Sequence, residues 1–162
     1  QTCKQWEESI EPVAAMGKRL VKLRIGIVLS TEGGALKEFL IPLRFGIASV
    51  LGGGRQIISW IHIDDLVNMF IKAIESEDIN GVYNAVAPSP VSNKELILTL
   101  AKARNKFYIS VPVPSFVLKM MLGEMSIEIL KSATVSSAKA EKAGFSFRYA
   151  DIKSALNSLV KR

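Results

Sequence analysis

The sequence predicts an α/β protein with a parallel sheet, and three observations carry that expectation. Leu20–Ser30 (LVKLRIGIVLS) is a continuous apolar run of β-branched residues, too short for a typical buried helix. It reads as a strand covered on both faces, the kind found in parallel sheets. The middle of the chain then alternates strand, helix, strand, helix, the rhythm of layered α/β units. Composition is that of an ordinary folded domain: 162 residues, 49% hydrophobic and 22% charged, enough for one sizeable core or two small ones.

Taken in order, residues 2–16 set Trp6, Ile10, Val13 and Ala14 on one helical stripe with Glu7, Glu8 and Glu11 opposite, and Gly17 ends the helix. After the Leu20 strand, Gly33-Gly34 breaks the chain, and Ala35–Phe45 forms a short helix that Pro42 bends or ends. Gly52–Gly54 leads into a strand over Ile57–Ile63. Asp64 is the expected N-cap of a helix over Asp65–Glu75, with Asp65 in its first turn and Leu66, Phe70 and Ile74 inward. Asn80-Gly81 turns into a second buried strand, Val82–Ala87. Ser92 opens a capping box with Glu95 and starts a helix to about Arg104, burying Leu96, Ile97, Leu100 and Ala101. Val111–Pro114 is extended because of its prolines, and Ser115–Leu122 is a helix stopped by Gly123. Ser136 or Ser137 starts a short helix closed at Gly144. Asp151 caps the last helix, with Ile152, Leu156, Leu159 and Val160 on one face.

The formal charge is +6, but the 21 Lys and Arg are scattered. The densest cluster, Lys18, Arg19, Lys22 and Arg24, flanks a strand and reads as a solvated edge, so no nucleic-acid partner is expected. A phosphate-bearing small ligand would use the same surplus. The single cysteine, Cys3, excludes an internal disulfide and a Cys-based zinc site and fits a reducing cytoplasm, the expected localisation. Arg44 interrupts the longest apolar region and no signal peptide is visible, so no membrane partner is expected. Gln1 stands where an initiator Met would and the first residues already read as helix, which leaves an artificially shortened chain and the back portion of a longer protein both open.

The stretch Gly52–Val67 (GGGRQIISWIHIDDLV) is the richest in candidate chemistry. Its glycines match neither the GxGxxG nor the GK[ST] phosphate loop, leaving a plain turn and a ligand cradle both open. Arg55 and Gln56 at the loop mouth suit a phosphate or carboxylate. His62 sits between Ile61 and Ile63 with no second histidine in the chain, and is expected to be a buried structural imidazole bonded to backbone. Asp64 and Asp65 are expected to cap a helix, and no metal site is expected. Tyr149 and Lys153 fit Tyr-x-x-x-Lys, but the Asp151 cap separates them and the match is taken as chance. No Ser-His-Asp or Cys-His set can be assembled, so no catalytic residue is assigned.

In combination, LRIGIVLS, GGALKEFLIPLRFGI, GGGRQIISWIHIDDLV, VYNAVAPSPVSNKEL, VPVPSFVLKMMLGE and KAGFSFRY resemble the C-terminal half of the atypical extended short-chain dehydrogenase/reductases. These are nucleoside-diphosphate-sugar epimerase-like proteins, sometimes labelled cell division inhibitors. The resemblance covers nearly the whole chain. It implies late parallel strands of a Rossmann-type sheet plus a small α/β substrate-binding lobe. Residues 1–162 would form one C-terminal portion, in which 1–30 and 82–104 contribute to a Rossmann core whose first half is not in this chain. By resemblance, Ile25, Gly26, Ile27 and Val28 lie beside the nicotinamide of NADP or NAD. Gly54, Arg55, Gln56, Trp60, Asn84 and Ala87 face the substrate, at the carboxyl ends of the strands.

The sequence also departs from that family's sugar-nucleotide enzymes. Ile58 stands four residues before the histidine, where an arginine commonly grips the diphosphate. Gly26 replaces a frequent asparagine, and the usual catalytic lysine position falls near Cys3. The leading expectation is the substrate-binding portion of an NAD(P)-dependent epimerase-like oxidoreductase acting on a polar small molecule, a nucleotide-sugar being one candidate, and inactive as this chain alone. The alternatives are a non-catalytic NADP(H)-sensing or protein-binding member of the fold, and a salt-sensitive phosphate-backbone binder. A homodimer packed through helix 2–16 is a further implication of the resemblance.

Overall fold

A computed structural model describes residues 2–123 and 125–160. In chain order its elements are α1 (Thr2–Ser9), α2 (Glu11–Ala15), β1 (Val21–Ile25), β2 (Ile27–Leu29), α3 (Gly34–Arg44), β3 (Ile47–Leu51), β4 (Ile57–Ile58), β5 (Trp60–His62) and α4 (Ile63–Glu75). There follow β6 (Gly81–Ala85), β7 (Val91–Ser92), α5 (Asn93–Ala103), β8 (Ile109–Val113), α6 (Ser115–Leu122), α7 (Met125–Leu130), α8 (Ala138–Lys142) and α9 (Ile152–Val160).

The α/β class and the parallel pairing are as expected. β1 runs parallel to β6, from Val21 opposite Gly81 to Ile25 opposite Ala85, and β2 runs parallel to β5, Ile27 opposite Trp60. β3 and β8 are also parallel, while β4 and β7 form a short antiparallel bridge. Two runs read as single strands are each broken in the middle. At Gly26 the chain changes partner: the Gly26 N–H donates to the Ala85 carbonyl at 3.2 Å and the Ile27 N–H to the Ser59 carbonyl at 2.9 Å. The matching break falls at Ser59, between β4 and β5. There the Ser59 hydroxyl donates to the Ala133 carbonyl and accepts from the Val135 N–H.

The first helix divides at Ile10, ahead of Pro12, and docks in the opposite sense to an amphipathic helix. Its acidic side faces the sheet. The Arg24 fork takes both oxygens of Glu7 at 2.6 Å, and Lys22, almost buried, reaches the Glu7 carbonyl and the Glu11 carboxylate. The Arg24 hydrogen bond holds Glu7 below the ordinary carboxylate value and raises Arg24 in turn. The apolar stripe of Trp6, Ile10 and Val13 is left exposed. Arg19 donates to the carbonyls of Ala73, Ile74 and Ile79 around the end of α4. The basic cluster is thus mostly engaged inside the fold.

In α4 the inward row is Asp65, Leu66, Met69 and Ala73, whereas Phe70 and Ile74 are exposed, against expectation. The cause lies at the helix start. His62, not Asp64, is the N-cap, its Nδ1 accepting from the Asp64 N–H at 3.0 Å, and Asp65 turns inward instead of capping. The Asp65 carboxylate accepts from the N–H groups of Arg148 and Tyr149 at 2.8 and 3.0 Å. His62 is buried as expected, its Nε2 is 3.0 Å from the Ser158 hydroxyl, and its ring stacks on Tyr149 at 3.9 Å. Tyr149 precedes α9 and Lys153 lies within it, so the pair shares no helical turn.

Ser92 caps α5, and Leu96, Ile97, Leu100 and Ala101 are all buried. Gly123 ends α6 with φ +55. Asp151 accepts from the Ser154 N–H at 2.9 Å and caps α9, whose Ile152, Leu156 and Leu159 are buried. Two apolar clusters result, one joining α3, β3, α5 and α9 around Trp60, the other joining α4, β6 and α8 around Phe145.

Asp151→Ala should cost about 1 kcal/mol, read from the urea midpoint. The Ser154 N–H holds the Asp151 carboxyl below its ordinary 3.8. A lowered folded value means that the stabilisation is full above the ordinary value and is lost as pH falls through the folded one. Asp151→Asn should therefore flatten the acid side of the stability profile.

Candidate functional site

The residues singled out from sequence separate into a built frame and an exposed rim. Gly54 belongs to the frame. Its φ is +67, and a Cβ there would stand 2.5 Å from Val50 Cγ1, so only glycine fits both the turn and the space. Its N–H donates to the Leu51 carbonyl, and its own carbonyl accepts from Lys94. Gln56 is buried and its amide donates to the Leu51 carbonyl at 3.0 Å, so it locks the loop rather than reaching outward as expected. Asn93 completes the lock by accepting from the Leu51 N–H at 2.9 Å. Arg55, held between these two anchors, is exposed and has no ion pair or hydrogen bond among the described residues.

Trp60 is fully buried in the larger core, which corrects the expectation that it faces a substrate. Its indole N–H donates to the Ser89 carbonyl at 2.9 Å, and its backbone carbonyl accepts from the Ala87 N–H. It therefore fixes the 86–89 turn. Ala87 is buried in the same turn. Asn84 is half-buried opposite Arg24, its amide donating to the Ser136 carbonyl at 3.0 Å.

Ile25 and Ile27 both leave their side chains exposed at the carboxyl end of β1 and the start of β2, while Val28 is half-buried. Gly26 between them is not open to a ligand. A Cβ there would lie 2.5 Å from the Ser59 carbonyl oxygen and 2.7 Å from Val86 Cγ1, so its lack of a side chain serves strand packing. Exposed Ile25 thus ends β1 and exposed Ile27 opens β2, on either side of the change of strand partner. Ile58, by contrast, is buried opposite Val91, so this position faces the core and not a cleft. The Cys3 side chain lies outside the described residues.

A further segment beside this rim was not read from the sequence. Residues 132–136 run along the broken β4–β5 strand: the Ser132 hydroxyl accepts from the Ile57 N–H at 2.9 Å, and the Ser136 carbonyl takes Asn84. This strip joins the Arg55 side of the rim to the Asn84 side across four residues, at most about 14 Å. A small-polar composition (SATVSS) was its only signal.

Residues 113–159 match a family described as a domain of unknown function, DUF1731. The chain is 38% identical over 159 residues to the epimerase family protein YfhF of Bacillus subtilis, an alignment covering 98% of this chain and 52% of that protein. The crystal structure of human epimerase family protein SDR39U1 (isoform 2) with NADPH superposes with a TM-score of 0.85 at 32% identity, covering 90% of this chain and 49% of that one. The nucleoside-diphosphate sugar epimerase from Corynebacterium glutamicum gives a TM-score of 0.73 at 30% identity, covering 98% of this chain and 30% of that one. The chain thus spans about half the length of the curated relatives it matches. Agreement in sequence over nearly its whole length and in fold makes this chain similar to the C-terminal half of the epimerase family proteins.

Proposed function

We propose that the chain is the substrate-binding portion of an NAD(P)-dependent epimerase-like oxidoreductase, and that a preceding half supplies the dinucleotide site. The observation that carries this reading is exposed Ile25 at the carboxyl end of β1, with exposed Ile27 just beyond it, beside the Asn84–Ala87 segment at the carboxyl end of the parallel strand β6. β1 has β6 on one edge and no strand on the other among the described residues. An apolar groove of about 300 Å³, with Val21, Leu23 and Phe70 in its walls, opens beside it. Both features suit a sheet continued by residues 1–30 and 82–104 into a Rossmann core.

NADP or NAD would bring hydride chemistry to this edge. The chain's own residues do the rest of the work in this reading: Ile25 and Ile27 exclude water from the ring face, and Arg55, on a loop locked by Gly54 and Gln56, orients a phosphate or carboxylate of a polar substrate. A nucleotide-sugar is the candidate class. In a chain that includes the preceding half, Arg55→Ala should weaken substrate binding by about tenfold to a hundredfold at an unchanged thermal midpoint. An unchanged Kd would remove Arg55 from the site.

Calorimetric titration of NADPH and NADH into this chain, and into the chain joined to the preceding half, tests the whole reading. Binding by the longer form alone is expected; binding by neither sinks it. Burial of Ile58 where a diphosphate-gripping arginine would stand favours one second reading, a non-catalytic NADP(H)-sensing member of the fold. Binding of NADPH without oxidation or epimerisation of any nucleotide-sugar would select it.

A further inference from the structure

Because β3 and β8 are parallel, both begin at one end of the lobe and finish at the other, beside the Gly52–Arg55 loop. At the starting end two short tips lie together. Arg44-Phe45-Gly46 leaves α3, and Arg104-Asn105-Lys106-Phe107 leaves α5. They are joined by the Ile109 N–H donating to the Gly46 carbonyl at 2.8 Å, and left-handed backbone at Gly46 and Asn105 makes both turns tight. Phe45 and Phe107 are 80% and 84% exposed, the two highest values among the described large apolar residues. Ile47 and Ile109, opposite one another in the register, extend the apolar surface.

Charge surrounds these rings with a single sign. A groove of about 470 Å³ under the tips is lined by Arg44, Arg104 and Lys106 over an apolar floor that includes Leu40 and Leu159, with no acidic side chain in its walls. The three cations have no ion pair among the described residues. No Asp or Glu occurs between Phe39 and Gln56 or between Leu96 and Gly123. Part of this charge answers the carbonyl ends of α3, α5 and α9, which meet here, but a helix end needs no exposed phenylalanine beside it.

We propose that the paired tips are a peripheral docking surface for an anionic lipid bilayer, with Phe45 and Phe107 entering the headgroup boundary and Arg44, Arg104 and Lys106 against lipid phosphates. Exposed aromatic residues ringed by Lys and Arg match that interface in both polarity and sign. A second copy of the chain fits less well, since a two-fold contact would oppose the same cations. No helix among the described residues is long and apolar enough to cross a membrane, so the contact lies in the interfacial plane. The surface stands at the opposite end of β3 and β8 from Arg55, and does not depend on the proposed reaction.

Co-sedimentation with vesicles of mixed phosphatidylglycerol and phosphatidylcholine, and with phosphatidylcholine alone, tests this. Binding to the anionic vesicles only is expected, weakening with salt. The Phe45→Ser/Phe107→Ser double variant should lose about tenfold or more in partitioning, at an unchanged circular dichroism spectrum and thermal midpoint. Arg44→Gln and Lys106→Gln should each lose about fivefold. Absence of anionic-vesicle binding at low salt overturns the proposal. So does binding that the phenylalanine pair does not affect, or a concentration-dependent dimer that the double variant abolishes while vesicles bind nothing.

Discussion

Asp65→Ala is expected to destabilise the chain by about 4 kcal/mol, because it strands two backbone donors at about 1–3 kcal/mol each. Asp65 has no solvent exposure, and its two oxygens hold the N–H groups of Arg148 and Tyr149. These bonds tie the start of α4 to the loop before α9. The loss should spread, since Tyr149 stacks on His62 and His62 caps α4. Asp65→Asn keeps one acceptor and should cost clearly less. Urea unfolding of both variants is the check. A loss under about 1 kcal/mol for the alanine variant would mean that the loop finds other acceptors or water.

Gly26→Val should be disruptive on a similar scale, costing more than about 3 kcal/mol or leaving no folded chain. The clash is with the Ser59 carbonyl oxygen at 2.5 Å, which cannot withdraw without breaking its hydrogen bond from the Ile27 N–H. Gly26→Ala already carries the offending Cβ and separates strain from bulk. An alanine variant with the wild-type urea midpoint would show that the approach relaxes freely. The same contact gives a physical reason why the asparagine frequent in related enzymes is absent here: at this switch of strand partners no side chain fits.

Elements whose signal is local were legible from the sequence. Ser92, Asp151 and Gly123 do what their positions suggest, because capping needs only neighbouring backbone. The buried rows of α5 and α9 follow from periodicity, and the family resemblance came from motifs spread along the chain. The short strand β3 was missed because Ile47–Leu51 has no partner until β8, about sixty residues later, supplies one. The candidate site was legible only as a neighbourhood. Arg55 is exposed, while its neighbour Gln56 and the nearby Trp60 turned out to be structural.

By itself, then, the sequence determined the α/β class, the caps, the helical faces fixed by spacing and the epimerase-family kinship, all properties of short windows or of ordered motifs. Tertiary structure alone decided which way ambiguous faces point. The first helix turns its carboxylates to Lys22 and Arg24 and its apolar stripe outward. α4 rotates to bury Asp65, and Leu20–Ser30 breaks at Gly26 to change partners. Each outcome rests on a partner distant in sequence, Tyr149 for Asp65 and Ser59 for Gly26, and no local pattern encodes which distant group will arrive.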